Sequence, residues 1–243
     1  MCLGLPDQAS TQTSAAIAEA RTLAHPPSLA SSLMVGAMLL SLVGDSRALS
    51  ERADELVAVA VEQGVPWWHT VGRLYRGWVK VKNGNVLEGI SFMLSGLTAY
   101  RATGAEMWIP YHTALRARAC EIAGQTEESL ALLDDALQLS QKTGERWFAA
   151  ELNRLKGELL LRQGHFEATE ELYHKALSIA EEQEAKLWEL RAAVSLAQLR
   201  RDQGRRTDAH DLLAPVYGWF TEGFDTPDLK EAKALLDELG RET

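Results

Sequence analysis

An all-α solenoid of helix pairs, repeating about every forty residues, is the fold this sequence predicts, and three observations predict it. Gly4, Gly44, Gly84, Gly124, Gly164 and Gly204 stand in one phase, forty residues apart. Gly64, Gly104 and Gly144 mark a second phase, which Glu184 interrupts and Gly223 meets one residue early. The stretch from Trp147 to Gln183 is two amphipathic runs joined by the single turn at Gly164, and the rest of the chain repeats it. Seven residues before each turn glycine stands a small residue: Ala37, Gly77, Ala117, Gly157 and Ala197. Such a brick cannot bury its apolar face alone and does so against its neighbours. No window shows sustained two-residue alternation between turn signals, so no strand is expected.

Taken in order, the chain opens on Gly4, the turn of a unit whose first helix is missing. Pro6 and Asp7 suit a helix entry, since proline fits the first position and an acid there complements the helix dipole. A helix over Asp7 to Leu23 follows, completing a half repeat at 1–25 with an apolar face that wants cover. On this reading a longer array was cut here, or the helix is an orphan whose open face favours self-association or domain swapping into a homodimer. Full units are expected at 26–64, 65–104, 105–144, 145–184 and 185–224. Pro26, Pro27 and Pro66 punctuate the loops before two first helices. Second helices are expected over Arg47–Gln63, Val86–Ala102, Glu127–Lys142, Phe166–Glu182 and Thr207–Trp219, where apolar residues such as Leu130, Leu133 and Leu137 recur at helical spacing. The apolar run Leu29 to Val43 reads as a buried first helix, because it is short for a membrane span and lacks the flanks of a secretory signal. The segment 225–243 is a capping helix and tail. Thr226 is its hydroxyl N-cap, Pro227 its first residue and Gly240 its left-handed stop, with Leu229, Ala232, Leu235, Leu236 and Leu239 on one face.

Composition removes several function classes. Among 243 residues the formal charge is −9, which disfavours nonspecific attraction to nucleic acid or an anionic membrane. Two cysteines, Cys2 and Cys120, are too few for a disulfide framework or a zinc cage and fit a reducing compartment. The six histidines, His25, His69, His112, His165, His174 and His210, form no HExxH or paired ligand set and read as surface or satisfied-edge residues. Carboxylate pairs such as Glu127-Glu128 and Asp134-Asp135 read as solvated helix faces, and no nucleophile elbow is present. No catalytic residue, metal site or cofactor is expected.

Nine and twelve residues after the turn, the second helix presents Met93 and Gly96, Leu133 and Ala136, Tyr173 and Ala176, Leu213 and Val216. With the small column before the turn, this rhythm resembles the tetratricopeptide (TPR) pattern, each helix being about a turn longer than usual. HEAT-type repeats match the period but give no reason for the small column. The resemblance implies a right-handed superhelix of antiparallel helix pairs. A further column, Trp68, Trp108, Phe148 and Trp188 with Trp67 and Trp147 beside it, could stack a ligand, but a ring recurring at fixed phase is what packing between units requires.

The segments GWVKVKNG, TAYRATGAE, KTGERWFAAELNRLKGELLLRQG and WELRAAVSLAQLRRDQGRR, with LLAPVYGWFTEGFDTPDLKEAKALLDEL, resemble the C-terminal TPR region of bacterial multidomain signalling proteins. In that family a class III adenylate/guanylate cyclase-type domain and a P-loop ATPase-like module precede the repeats. The resemblance implies a cytoplasmic regulatory or interaction module and carries over no catalytic residue, since no GxxxxGK[ST] occurs. In TPR arrays the first helices line the concave face. Positions thirteen, ten, six, three and two before each turn glycine place Trp78, Lys82, Tyr111, Arg118, Arg154, Arg162, Arg191 and Arg201 there, interleaved with Glu121, Glu151, Glu158 and Asp202. Arginine forks suit carboxylates. The expected partner is therefore an acidic peptide or protein segment held by the arginines, with Trp78 and Tyr111 as apolar anchors. The competing reading is ordinary solvated charge. The alternative roles are a small-molecule-sensing regulatory solenoid and a self-association module.

Overall fold

The computed structural model of the chain describes residues 1–242; Thr243, at the end of the expected tail, lies outside them. The described residues are all-helical, twelve α-helices in a paired, TPR-like repeating order. They are α1 (Pro6–Thr22), α2 (Pro26–Val43), α3 (Ser46–Glu62), α4 (Pro66–Lys82), α5 (Val86–Ala102), α6 (Ile109–Ile122), α7 (Thr126–Thr143), α8 (Ala149–Arg162), α9 (Phe166–Glu182), α10 (Lys186–Asp202), α11 (Arg206–Gly218) and α12 (Pro227–Leu239). The forty-residue period has a plain origin. Helices α3, α4 and α5 are 17 residues each and three-residue links join them, so two helices and two links close the beat.

Each link is a left-handed stop. All six glycines of the main phase have φ between 75° and 90°, and Gly64, Gly104, Gly144 and Gly223 are also positive. The residue after the stop donates its N–H to the carbonyl five residues back, as in Asn85→Lys80 (2.9 Å), Gln125→Cys120 (2.9 Å) and Ala185→Ala180 (2.8 Å). This satisfies carbonyls that the helix end would otherwise leave bare. Ala24 and Glu184 hold the same phase as Gly64 and take φ of 47° and 52° without being glycine. The beat therefore runs through position 184, where the glycine series breaks.

The described residues form two compact units, 8–136 and 137–242 together with Met1–Asp7. In the first unit α4 packs on α3 and α5, and α2 on α3. The apolar face of α1 is covered rather than open: Ile17 and Ala20 are buried, and Thr13 and Ile17 lie against Gly36 of α2. Helix α2 is 18 uncharged residues and by length and composition alone could cross a membrane; Ala30, Leu33, Met34 and Ala37 are buried in the unit. In the second unit α8 packs on α9 and α10, α10 on α9 and α11, and α12 on α10 and α11. Leu229, Ala232, Leu235 and Leu239 of α12 complete a core with Leu190, Leu196, Leu199 and Leu213.

The small column explains the close approach of paired helices. A Cβ on Gly77 would sit 2.6 Å from Met93 Cγ, and one on Gly157 2.6 Å from Tyr173 Cε1. The large residue nine after the turn fills the space that the small one leaves. Two details of the cap differ from the sequence reading. Thr226 Oγ1 donates to the Gly223 carbonyl at 2.7 Å instead of capping α12. Gly240 keeps φ −83°, because the chain runs on into a 3-10 turn, Gly240–Glu242, and needs no left-handed stop.

Candidate functional site

In the second unit the first helices α8 and α10 turn a row of charges inward, and these charges find one another. Arg154 grips Glu151 with two bonds, Nε to Oε2 at 2.7 Å and NH2 to Oε1 at 2.9 Å. Its NH1 reaches Glu158 on the next turn and Ser195 of α10, the latter at 3.2 Å. Glu151 also accepts from Arg191 at 3.1 Å, and Arg191 forks onto Asp228 of α12 at 2.7 and 3.0 Å. Glu151 is 1% and Arg154 7% exposed, so the network is inside the protein. Burial opposes the charge of Arg154, yet Glu151 and then Glu158 hold its pKa well above the ordinary value. Arg191 is likewise raised, by Glu151 and then Asp228, against desolvation.

The same helix, α12, also takes up Gln198 and Arg201 of α10. Gln198 donates to Glu231 at 2.9 Å and Arg201 to Glu238 at 3.0 Å, and Val194 is buried. Of the four arginines expected to greet a ligand here, Arg154 is buried, and Arg191 and Arg201 are held by the chain's own carboxylates. Arg162, at the end of α8, is the exposed one. The reason is that helical phase tells which face a residue occupies but not whether a neighbouring helix covers that face.

The first unit handles its inward face with aromatic rings. Tyr111 is fully buried, its hydroxyl bonded to Ser41 of α2 and facing Tyr75 of α4. Burial pushes its pKa up to about 12 against the pull of Ser41 and Tyr75. Tyr111 is therefore a core strut between first helices and not the surface anchor that the sequence suggested. His112 beside it is 1% exposed, not a surface histidine. The rings of Tyr75, Tyr100 and Tyr111 surround it at 5.9, 5.7 and 5.0 Å, and neither ring nitrogen has a hydrogen-bond partner. Desolvation lowers its pKa to about 3. Trp78 is 5% exposed and offers only an edge.

What remains accessible on this face lies at the C-terminal ends of α4 and α6. Lys82 is exposed, with Nζ 5.6 Å from the centre of the Trp78 ring. Arg118 is half-buried, and Ile122 is 49% exposed. Among the described residues neither Lys82 nor Arg118 meets a carboxylate at ion-pair distance. A cation over an aromatic ring, as Lys82 lies over Trp78, can meet a carboxylate beside an apolar group.

The aromatic column packs as rings between helices. Trp67 lies 6.2 Å from Trp108 and 6.0 Å from Tyr100 in the first unit. Phe148 and Trp188 meet edge to face at 5.2 Å in the second. A cleft of about 270 Å³ between the ends of α1, α2 and α3 is lined by Arg21, His25 and Glu62. Arg21 is spent on Glu55, and His25 caps α2. Among the described residues no cluster of three His, Cys, Asp or Glu side chains is placed to hold a metal.

No protein-family model matches the chain. It is 26% identical over 178 residues to an uncharacterised protein of Rhizobium meliloti (strain 1021), a match that takes in 73% of this chain and 17% of that protein. The chain thus spans about a sixth of the length of this curated relative. In solved structures it is similar to a putative kinesin light chain of Podosopora anserina with nearly identical TPR-like repeats, at 19% identity and a TM-score of 0.55, over 80% of this chain and 95% of that one. It is also similar to a Rap protein complexed with competence and sporulation factor, at 12% identity and a TM-score of 0.61, over 86% and 62% of the two chains. Both likenesses are of fold.

Proposed function

We propose that the chain is a non-catalytic binding module that holds an acidic peptide or protein segment at the ends of α4 and α6. The observation that carries this reading is the contrast in cation use. Arg154, Arg191 and Arg201 of the second unit are consumed by Glu151, Asp228 and Glu238, whereas among the described residues Lys82, over the Trp78 ring, and Arg118 meet no carboxylate at ion-pair distance. A TPR-like fold with a solved relative complexed with a factor supports a binding role. The match to a sixth of a much longer bacterial relative supports a module within a larger protein; that this protein is a cytoplasmic cyclase and ATPase-like signalling protein is proposed on the sequence resemblance alone.

The test uses fluorescein-labelled acidic decapeptides, each with one aliphatic residue, titrated against the chain. Wild type binds members of the panel. The double variant Lys82→Glu, Arg118→Glu loses at least tenfold in affinity at unchanged helicity. Equal binding by both proteins would end the assignment of the face.

A further inference from the structure

The first seven residues are not a loose end: they lie in a fitted slot on the second unit. Leu187, at the start of α10, donates its N–H to the Cys2 carbonyl at 3.0 Å. Gly4 is buried with φ of 83°, and a Cβ there would meet Trp219 Cζ3 at 2.5 Å and Lys186 Cβ at 2.8 Å. Pro6 is buried against Gly223, where a Cβ would come within 2.0 Å of the proline Cγ. Asp7 closes the slot with a reciprocal pair: its N–H donates to Glu222 Oε1 at 3.0 Å, and its Oδ2 accepts from the Gly223 N–H at 2.9 Å. Leu190, Phe220 and Leu229 form the apolar floor. Two glycines are thus needed, one on the segment and one on the wall, and a side chain on either would force the two apart.

We propose that this slot is a recognition site for a Gly-Leu-Pro-Asp segment, and that the N-terminus of a second copy of the chain can fill it. An identical segment is present on every copy, which is the condition for exchange at little cost in contacts. Its own segment competes at an effective concentration in the millimolar range, so exchange shows once that segment is disabled. The site involves neither Lys82 nor Arg118, so it stands or falls apart from the acidic-peptide reading.

The experiment pairs two full-length variants. Gly4→Val spoils the segment and leaves the slot; Gly223→Val spoils the slot and leaves the segment. Each alone sediments as a monomer, and an equimolar mixture gives a one-to-one dimer. A fluorescein-labelled peptide of residues 1–10, with Cys2→Ser, binds the Gly4→Val chain at least tenfold more tightly than wild type, and the Gly223→Val chain not at all. Gly4→Ala, with the smallest side chain that clashes, serves if Gly4→Val lowers helicity. Failure of the peptide to bind a Gly4 variant of native helicity overturns the slot. Peptide binding without pairing of the two variants overturns exchange between copies.

Discussion

The two units use one brick and satisfy its inward face in opposite ways. At the position ten before the turn, α8 carries Arg154, locked into a buried ionic lattice with Glu151, Glu158 and Ser195. Thirteen before the turn, α6 carries Tyr111, hydrogen-bonded to Ser41 and wrapped with neutral His112 in tyrosine rings. A common backbone phase therefore fixes where the inward residues stand but leaves their chemistry free. The ionic solution consumes its charges internally; beside the aromatic one, Lys82 and Arg118 meet no carboxylate at ion-pair distance among the described residues.

The largest expected effect breaks the ionic side. Glu151→Ala strips both Arg154 and Arg191 of their shared carboxylate inside the protein and costs about 3 kcal/mol in urea unfolding. Next, Gly157→Ala presses on Tyr173 and Gly77→Ala on Met93, each costing about 1–3 kcal/mol. A Cβ on Gly77 also meets backbone, the Gly89 carbonyl at 2.9 Å and the Met93 nitrogen at 3.0 Å, whereas one on Gly157 meets only the Tyr173 side chain, so Gly77→Ala is the costlier. On the aromatic side Tyr111→Phe loses one hydroxyl with its bonds and costs about 1 kcal/mol. Smallest is a gain: Glu184→Gly removes a side chain from a left-handed position and raises stability by about 0.5–1 kcal/mol, while Gly144→Ala, the same phase reversed, lowers it.

Acid sharpens the contrast further. His112 has a folded pKa of about 3, below the usual 6.5 of an unfolded chain. The folded state thus binds fewer protons in that window. Its contribution is fully present above pH 6.5 and is lost as the pH falls towards 3. His112→Phe is expected to flatten the stability profile between those pH values relative to wild type, measured by urea unfolding at fixed pH steps.

Much of this was legible in the sequence because it is periodic. The turn glycines gave the links, and the small column gave the helix contacts at Gly77–Met93 and Gly157–Tyr173. The helix over Val86–Ala102 was placed to the residue. What periodicity does not encode is coverage. Arg154 and Tyr111 sit on the expected face, yet Ser195 and Ser41 reach them from other helices. Asp228, the acid that captures Arg191, lies 37 residues away on a helix read only as an apolar cap. The pairing of Asp7 with Gly223, 216 residues apart, has no local signal at all. His112 looked like any surface histidine because its burial depends on Tyr75 and Tyr100, in other helices.

The contrast between consumed and available cations is tested most directly by thermal unfolding, followed by circular dichroism, of two charge-reversed chains. Arg154→Glu should lower Tm by about 10 °C, since several kcal/mol of buried pairing turn into repulsion. The double variant Lys82→Glu, Arg118→Glu should stay within about 2 °C of wild type. An Arg154→Glu chain that melts with the wild type would contradict the account.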